Sequence, residues 1–257
     1  MPVERVERPD VARFRRDYLN RSAPVVLTGV TEGWPARGWS LDTLAERLGD
    51  RQVPLAVLRG GHVRADLARG IRHEAGSLHA FLARVATASP PQHYLRLRLS
   101  GPYAFLRADV EVPPYCLARL ALDVSLLVGG TGTVVDTHYD MLHNLVSQLR
   151  GRRRVTLFSP ADRARLYPYP MRTLHWHHSQ VRLEAPDPVA FPRFREATPL
   201  QVDLGPGEML LIPRGWWHHF ETLEPSIAVN FFWLTPRLVP AIAAAQALWM
   251  VKRVGTY

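Results

Sequence analysis

The sequence predicts a mainly β protein built as a sandwich or barrel, with a mixed α/β region ahead of it and a helix behind it. Three observations predict this. From residue 94 onward, short apolar runs recur with turn residues between them. Before that point, helix caps alternate with single strands. Beyond residue 235, apolar side chains return at spacings of three and four. With 257 residues, 47% hydrophobic and 21% charged, the chain is long enough to bury a substantial core and too apolar for disorder. We read one domain over 1–257: an N-terminal α/β elaboration over 1–92, a β core over 93–235 and a C-terminal helix over 236–257.

Residues 10–20 carry a helical pattern, with Asp10 as N-cap ahead of Val11, Phe14 and Tyr18. Residues 24–28 form a short apolar strand ending at Gly29. Ser40 caps a helix that runs to Leu48 and stops at Gly49. A strand follows over 52–58, and Ser77 caps a further helix to Val85. The β core then reads as strands over 94–99, 125–128, 133–137, 144–149, 153–158, 200–204, 208–212, 217–222 and 227–233. Gly129-Gly130, Arg150-Gly151, Gly205-Pro206-Gly207 and Arg214-Gly215 supply turns between them. Residues 169–198, rich in Pro, His and Arg, form a long insert. Pro236 suits the first turn of the last helix. Its Leu238, Ile242, Ala245, Leu248 and Trp249 make an apolar stripe that fits a homodimer contact or the chain's own barrel.

The formal net charge is +9, and Lys252 is the only lysine, so the positive charge is almost all arginine. That skew suggests GC-rich coding and a bacterial source. A basic balance favours an acidic partner, or is a solvated surface. No basic run is interleaved with aromatics in the way single-strand binders require, which argues against nucleic acid. Cys116 is the single cysteine, which excludes an internal disulfide and any Cys-based zinc or iron–sulfur site. The start of the chain is charged from Glu4, unlike a signal peptide, and the apolar run over 238–251 is short for a membrane span. A cytoplasmic protein with no membrane association is the expectation.

Chemistry concentrates in two places. Thr137-His138-Tyr139-Asp140 lies where a strand ends. Residues two apart on a strand share a face, so His138 and Asp140 can converge on one ion. A second imidazole would complete a two-histidine, one-carboxylate facial triad with open positions, the donor set of non-haem Fe(II) oxygenases. His218 and His219 lie about eighty residues downstream on another strand, and alternation allows only one of them to face inward.

The company of these residues resembles the JmjC-like branch of the cupin superfamily. The resemblance rests on His138-Tyr139-Asp140, then Asn144, Gln148 and Gly151, Leu157-Phe158-Ser159-Pro160, Leu166-Tyr167-Pro168-Tyr169-Pro170 and Ser179-Gln180-Val181 in that order. It continues through Gly207-Glu208-Met209-Leu210-Leu211-Ile212-Pro213-Arg214-Gly215-Trp216-Trp217-His218 and Ser226-Ile227-Ala228-Val229-Asn230-Phe231-Phe232-Trp233. The blocks are similar to those of the asparaginyl hydroxylase acting on hypoxia-inducible factor, over about residues 94–233. This resemblance implies a double-stranded β-helix of the cupin or jelly-roll kind. It implies an Fe(II)- and 2-oxoglutarate-dependent dioxygenase that uses O2, with His138, Asp140 and His218 as metal ligands and catalytic centre, and His219 turned away.

It further implies that Arg153, where the family usually carries a lysine, pairs with the distal carboxylate of 2-oxoglutarate, aided by Tyr94, Asn144 and Asn230. Val135 stands where the relative has a cosubstrate-binding threonine, so Thr137 or Thr133 would have to replace that contact. His177 and His178 occupy the positions that hold the target amide in the relative, which leaves the substrate open. His175, Trp176, His177 and His178 also admit a second metal site or a plain polar loop. The leading expectation is hydroxylation of a peptide or protein side chain. Oxygenation of a small metabolite or modified nucleoside, N-demethylation, and a metal-binding cupin without turnover are the alternatives.

Overall fold

A computed structural model describes residues 2–63, 65–66, 70–87, 89–116 and 123–235 of the chain. The expected C-terminal helix, with its dimer stripe, lies outside the described residues.

The N-terminal part runs β1 (Arg5–Glu7), α1 (Val11–Phe14), β2 (Val25–Thr28), α2 (Leu41–Leu48), β3 (Gln52–Val57), β4 (His62–Val63), β5 (Ala65–Asp66), β6 (Gly70–Ile71), β7 (His73–Ser77), α3 (Leu78–Val85) and β8 (His93–Arg98). The core continues through β9 (Asp123–Gly129), β10 (Val134–Tyr139), β11 (His143–Arg150), β12 (Arg153–Phe158), β13 (Leu200–Leu204), β14 (Met209–Ile212), β15 (Trp217–Thr222) and β16 (Ser226–Trp233). Local chemistry sets the helix starts. Asp10 accepts from the Arg13 N–H, and Ser77 from the Ala80 N–H. Ser40 and Thr43 cap each other reciprocally, a device that contributes about 1 kcal/mol. Gly49 ends α2 at φ +62°, a conformation that favours glycine.

Two sheets face each other. The large one has the order β1-β2-β14-β11-β16-β9-β8-β3-β7, and the small one β13-β12-β15-β10-β4. The mainly β, jelly-roll class expected from the sequence is thus observed. The 1–92 segment builds both edges of the large sheet, through β2 on β14 and β3 on β8, and adds β4 to the small one.

Period-two alternation assigns the faces. Leu145 and Leu149 of β11, with Val229 and Phe231 of β16, join Leu44, Leu48, Phe81 and Leu82 of the helices in one core. Val146 of β11 packs instead with Leu210 and Ile212 of β14 and with Val155, Leu157, Val202 and Phe220 of the small sheet. Each such fully buried side chain contributes about 1.5–3 kcal/mol of hydrophobic stabilisation. The same alternation turns Asn144, Gln148 and Asn230 toward the space between the sheets, where part of the filling is polar.

The short strands β1 and β4 to β7 were not expected from sequence. His73-Glu74-Ala75-Gly76-Ser77 is polar because β7 is a largely exposed edge, so it carries no apolar run to read.

Candidate active site

On the inner face of the small sheet, β10 and β15 run antiparallel with His138 opposite His218. Their ring centroids are 4.3 Å apart. Asp140 follows β10 directly, and its Oδ2 lies 3.4 Å from His218 Nε2. One ligand atom from each of the three side chains falls within 4.8 Å of the others. Backbone carbonyls fix both rings. His138 Nδ1 sits 2.8 Å from the Asp136 carbonyl and His218 Nδ1 3.0 Å from that of Trp216. These contacts assign the proton to Nδ1 and leave Nε2 as a lone-pair donor. Burial pushes His138 down to about 4, aided by His218, and also lowers His218. Neutral imidazoles beside a carboxylate suit a ferrous ion.

The cluster opens on a cavity of about 300 Å³ that also takes in Tyr94, Asn144, Arg153 and Asn230. Arg153 is 4% exposed. Its Nε donates to Gln148 Oε1 at 2.7 Å, and its guanidinium lies 5.0 Å from the Phe220 ring centre. Among the described residues no carboxylate pairs with it, and its Nη2 is buried without a partner. Asn144 Oδ1 and Asn230 Oδ1 are likewise buried and unpartnered. Each such group costs roughly 1–3 kcal/mol unless something binds it. Burial lowers Arg153 to about 10, so it remains a cation at neutral pH, while burial raises Tyr94 and keeps its phenol protonated. A buried cation, a phenol and two rotatable amides fit a carboxylate.

Gln148 is the residue that sequence reasoning left without a role. It is fully buried, and its Nε2 donates to the carbonyls of Arg150 (2.7 Å) and Gly151 (3.2 Å) and to Ser226 Oγ (2.9 Å). Its oxygen is therefore aimed at Arg153. A signal was present, since position 148 shares the inner face of its strand with Asn144.

The insert reaches the site through its histidines. Tyr139 N–H donates to the His177 carbonyl at 3.0 Å and Ser179 N–H to that of Thr137 at 2.9 Å, so residues 177–179 lie along β10. His178 stacks on His138 with centroids 5.2 Å apart and planes 19° apart. His177 and His178 both line the cavity, and burial lowers them to about 4 and about 2. A second cavity, about 370 Å³, adjoins the first through Arg96, Asp140, His177 and Phe232 and adds Trp176. Arg96, two residues from Tyr94 on the same strand face, was also overlooked in the sequence.

The two candidate threonine replacements need correction. Val135 does line the cavity, but Thr137 cannot replace the missing threonine because its hydroxyl turns to His219 Nδ1 at 3.3 Å. Thr133 is buried and is not among the cavity's lining residues. His219 faces outward, with Nε2 3.2 Å from Glu184 Oε1. The 175–178 run does not gather into a metal-like cluster among the described residues.

Comparison with known proteins agrees with this architecture. The cupin-like domain family matches residues 11–237. Lysine-specific demethylase 8 of Danio rerio is 32% identical over 241 residues, covering 90% of this chain and 58% of the relative. Lysine-specific demethylase JMJ30 of Arabidopsis thaliana is 34% identical over 228 residues, covering 86% and 52%. tRNA wybutosine-synthesizing protein 5 of Danio rerio is 30% identical over 244 residues, covering 87% and 72%. The chain thus spans little more than half the length of the demethylases it matches. No described helix is long and apolar enough to cross a membrane. With the family match running through both sheets and every residue of the cavity, the chain belongs to the cupin-like domain family.

Proposed function

We propose that this protein is an Fe(II)- and 2-oxoglutarate-dependent dioxygenase that hydroxylates a side chain of a peptide or protein. The observation that carries the reading is one cavity with His138, Asp140 and His218 at one end and the uncompensated Arg153 at the other. His138, Asp140 and His218 would hold the iron, which with 2-oxoglutarate and O2 supplies the oxidant that removes hydrogen from a substrate C–H bond. Arg153, backed by Gln148, pairs with the distal carboxylate, and Tyr94, Asn144 and Asn230 supply the remaining polar contacts. The Phe220 ring, 5.0 Å from the Arg153 guanidinium, covers the cation on one side and strengthens the pairing. His177, beside Asp140 and the second cavity, and His178, in the first, face the incoming substrate. Anaerobic addition of Fe(II) and 2-oxoglutarate should produce a visible charge-transfer band, absent in His138→Ala. Without a band and without consumption of 2-oxoglutarate, the reading fails.

Similarity to a protein named for tRNA wybutosine synthesis, together with the net charge of +9, favours oxygenation of a modified nucleoside as the second reading. Similarity to proteins named lysine-specific demethylases favours N-demethylation in the same way. A peptide screen by mass shift, run beside RNA, separates the three: a gain of one oxygen or loss of a methyl identifies the chemistry. We also infer a cytoplasmic setting, supported by the single cysteine, and a homodimer through residues 236–257. Light scattering of the full chain against one ending near residue 235 tests the dimer, and a full-length monomer at micromolar concentration rules it out.

A further inference from the structure

The strands that carry the inner cluster also carry polar chemistry on their outer face, and a bulge puts it there. Val135 lies opposite Phe220 and His138 opposite His218, so three steps along β10 match two along β15. Those four residues all face the inner cavity. The extra residue leaves both Asp136 and Thr137 on the outer side against His219. On the next strand, His62 Nδ1 sits 2.7 Å from Asp136 Oδ1. From beyond the histidine loop, Glu184 brings its carboxylate to the same point and holds His219 Nε2 at 3.2 Å.

One ligand atom each from His62, Asp136 and Glu184 lies within 4.8 Å of the other two. The two imidazoles there are almost fully buried, His62 at 8% and His219 at 6% exposed, whereas Glu184 is open to solvent. A cavity of about 430 Å³ reaches Glu184 and His219, and one of about 220 Å³ reaches Asp136. Two of the three ligands, Asp136 and Glu184, are therefore reached from solvent.

We propose that His62, Asp136 and Glu184 form a second divalent-metal site, distinct from the inner cluster. One imidazole and two carboxylates, with no thiolate, suit an ion of the zinc class, with water completing a tetrahedral shell. Coordination through His62 Nδ1 requires the ring to carry its proton on Nε2, and the ion then replaces the His62–Asp136 contact. His219 keeps Glu184 in place and is itself held by Thr137. The ion would join β4, β10 and the start of the 184–198 segment at one point, directly behind the strand that presents His138, and so serve a structural role.

Metal content of the full chain after equilibrium dialysis against Zn(II) tests this. We expect two equivalents per chain in the parent protein. Glu184→Gln should lose one equivalent and retain the other, and His62→Ala should do the same. His138→Ala/His218→Ala should also retain one, and Zn(II) should raise its Tm unless Glu184→Gln is added. Glu184 is exposed, so its isosteric change reads the site even if His62→Ala does not fold. A second equivalent that survives both Glu184→Gln and His62→Ala overturns the proposal. So does a single equivalent that vanishes in His138→Ala/His218→Ala and is indifferent to Glu184→Gln. Loss of the inner equivalent is read separately, so this test does not stand or fall with the proposed oxygenase activity.

Discussion

The two ends of the inner cavity are held by different means. At the metal end, each imidazole is fixed from behind by a main-chain carbonyl, at Asp136 for His138 and at Trp216 for His218. Strand pairing alone sets that geometry. At the anion end, Arg153 is aimed by another side chain, Gln148, which in turn depends on the carbonyls of a turn and on Ser226. A site built on backbone tolerates change around it and fails only when a ligand is removed. A site built on a side-chain network can be detuned by steps, because each member is itself replaceable.

Removing a ligand should therefore give the largest effect. Alanine at His138, Asp140 or His218 should abolish Fe(II) binding and 2-oxoglutarate turnover, while His219→Ala should keep iron. Loss of iron in His219→Ala with retention in His218→Ala would reverse the assignment of the pair. Metal content and turnover measured together provide the check.

At the other end, Arg153→Ala should weaken 2-oxoglutarate by about 2–4 kcal/mol, roughly 30- to 1000-fold in Kd, with iron still bound. An unchanged 2-oxoglutarate requirement would remove Arg153 from the site.

Gln148→Leu tests the difference between the ends more finely. It leaves the cation in place but frees it to turn, so the 2-oxoglutarate requirement should rise by about tenfold, the equivalent of about 1.4 kcal/mol, with Fe(II) affinity unaltered. An effect on iron as large as that on 2-oxoglutarate would show that the two ends are not independent.

The smallest expected effect lies beside the site. His143 is buried, accepts the Arg214 N–H at 3.1 Å, and is lowered by burial and by Arg214 from 6.5 to about 4. Above pH 6.5 both folded and unfolded states hold it neutral, so it does not affect the pH dependence there. Between pH 6.5 and 4 the unfolded chain takes up the proton and the folded chain does not, so stability falls across that window. Denaturation of His143→Asn should show a shallower acid loss than the parent, by on the order of 1 kcal/mol. Parallel curves would mean that the shift at His143 is not felt.

Much of this was legible in residue order. His138 and Asp140 stand two apart, His218 has its alternating neighbour His219, and Gly49, Ser40 and Asp10 mark helix ends by chemistry that acts over one turn. The resemblance to the family's blocks, not alternation, singled out Asn144, Arg153 and Asn230. What no local pattern contained was how the strands are offset against each other. The bulge between Val135 and His138 sends Thr137 outward to His219, although its side chain looked available to the cavity. His62 and Glu184 lie far apart in the chain and meet only because β4 and the insert close on the same strand. Arg153 reads on paper as one of three successive arginines; only burial between two sheets, without a carboxylate among the described residues to neutralise it, makes it a receptor for an anion. Side-chain periodicity is a property of a single strand, whereas desolvation and strand offset belong to pairs of sheets, and those are decided only when the chain has folded.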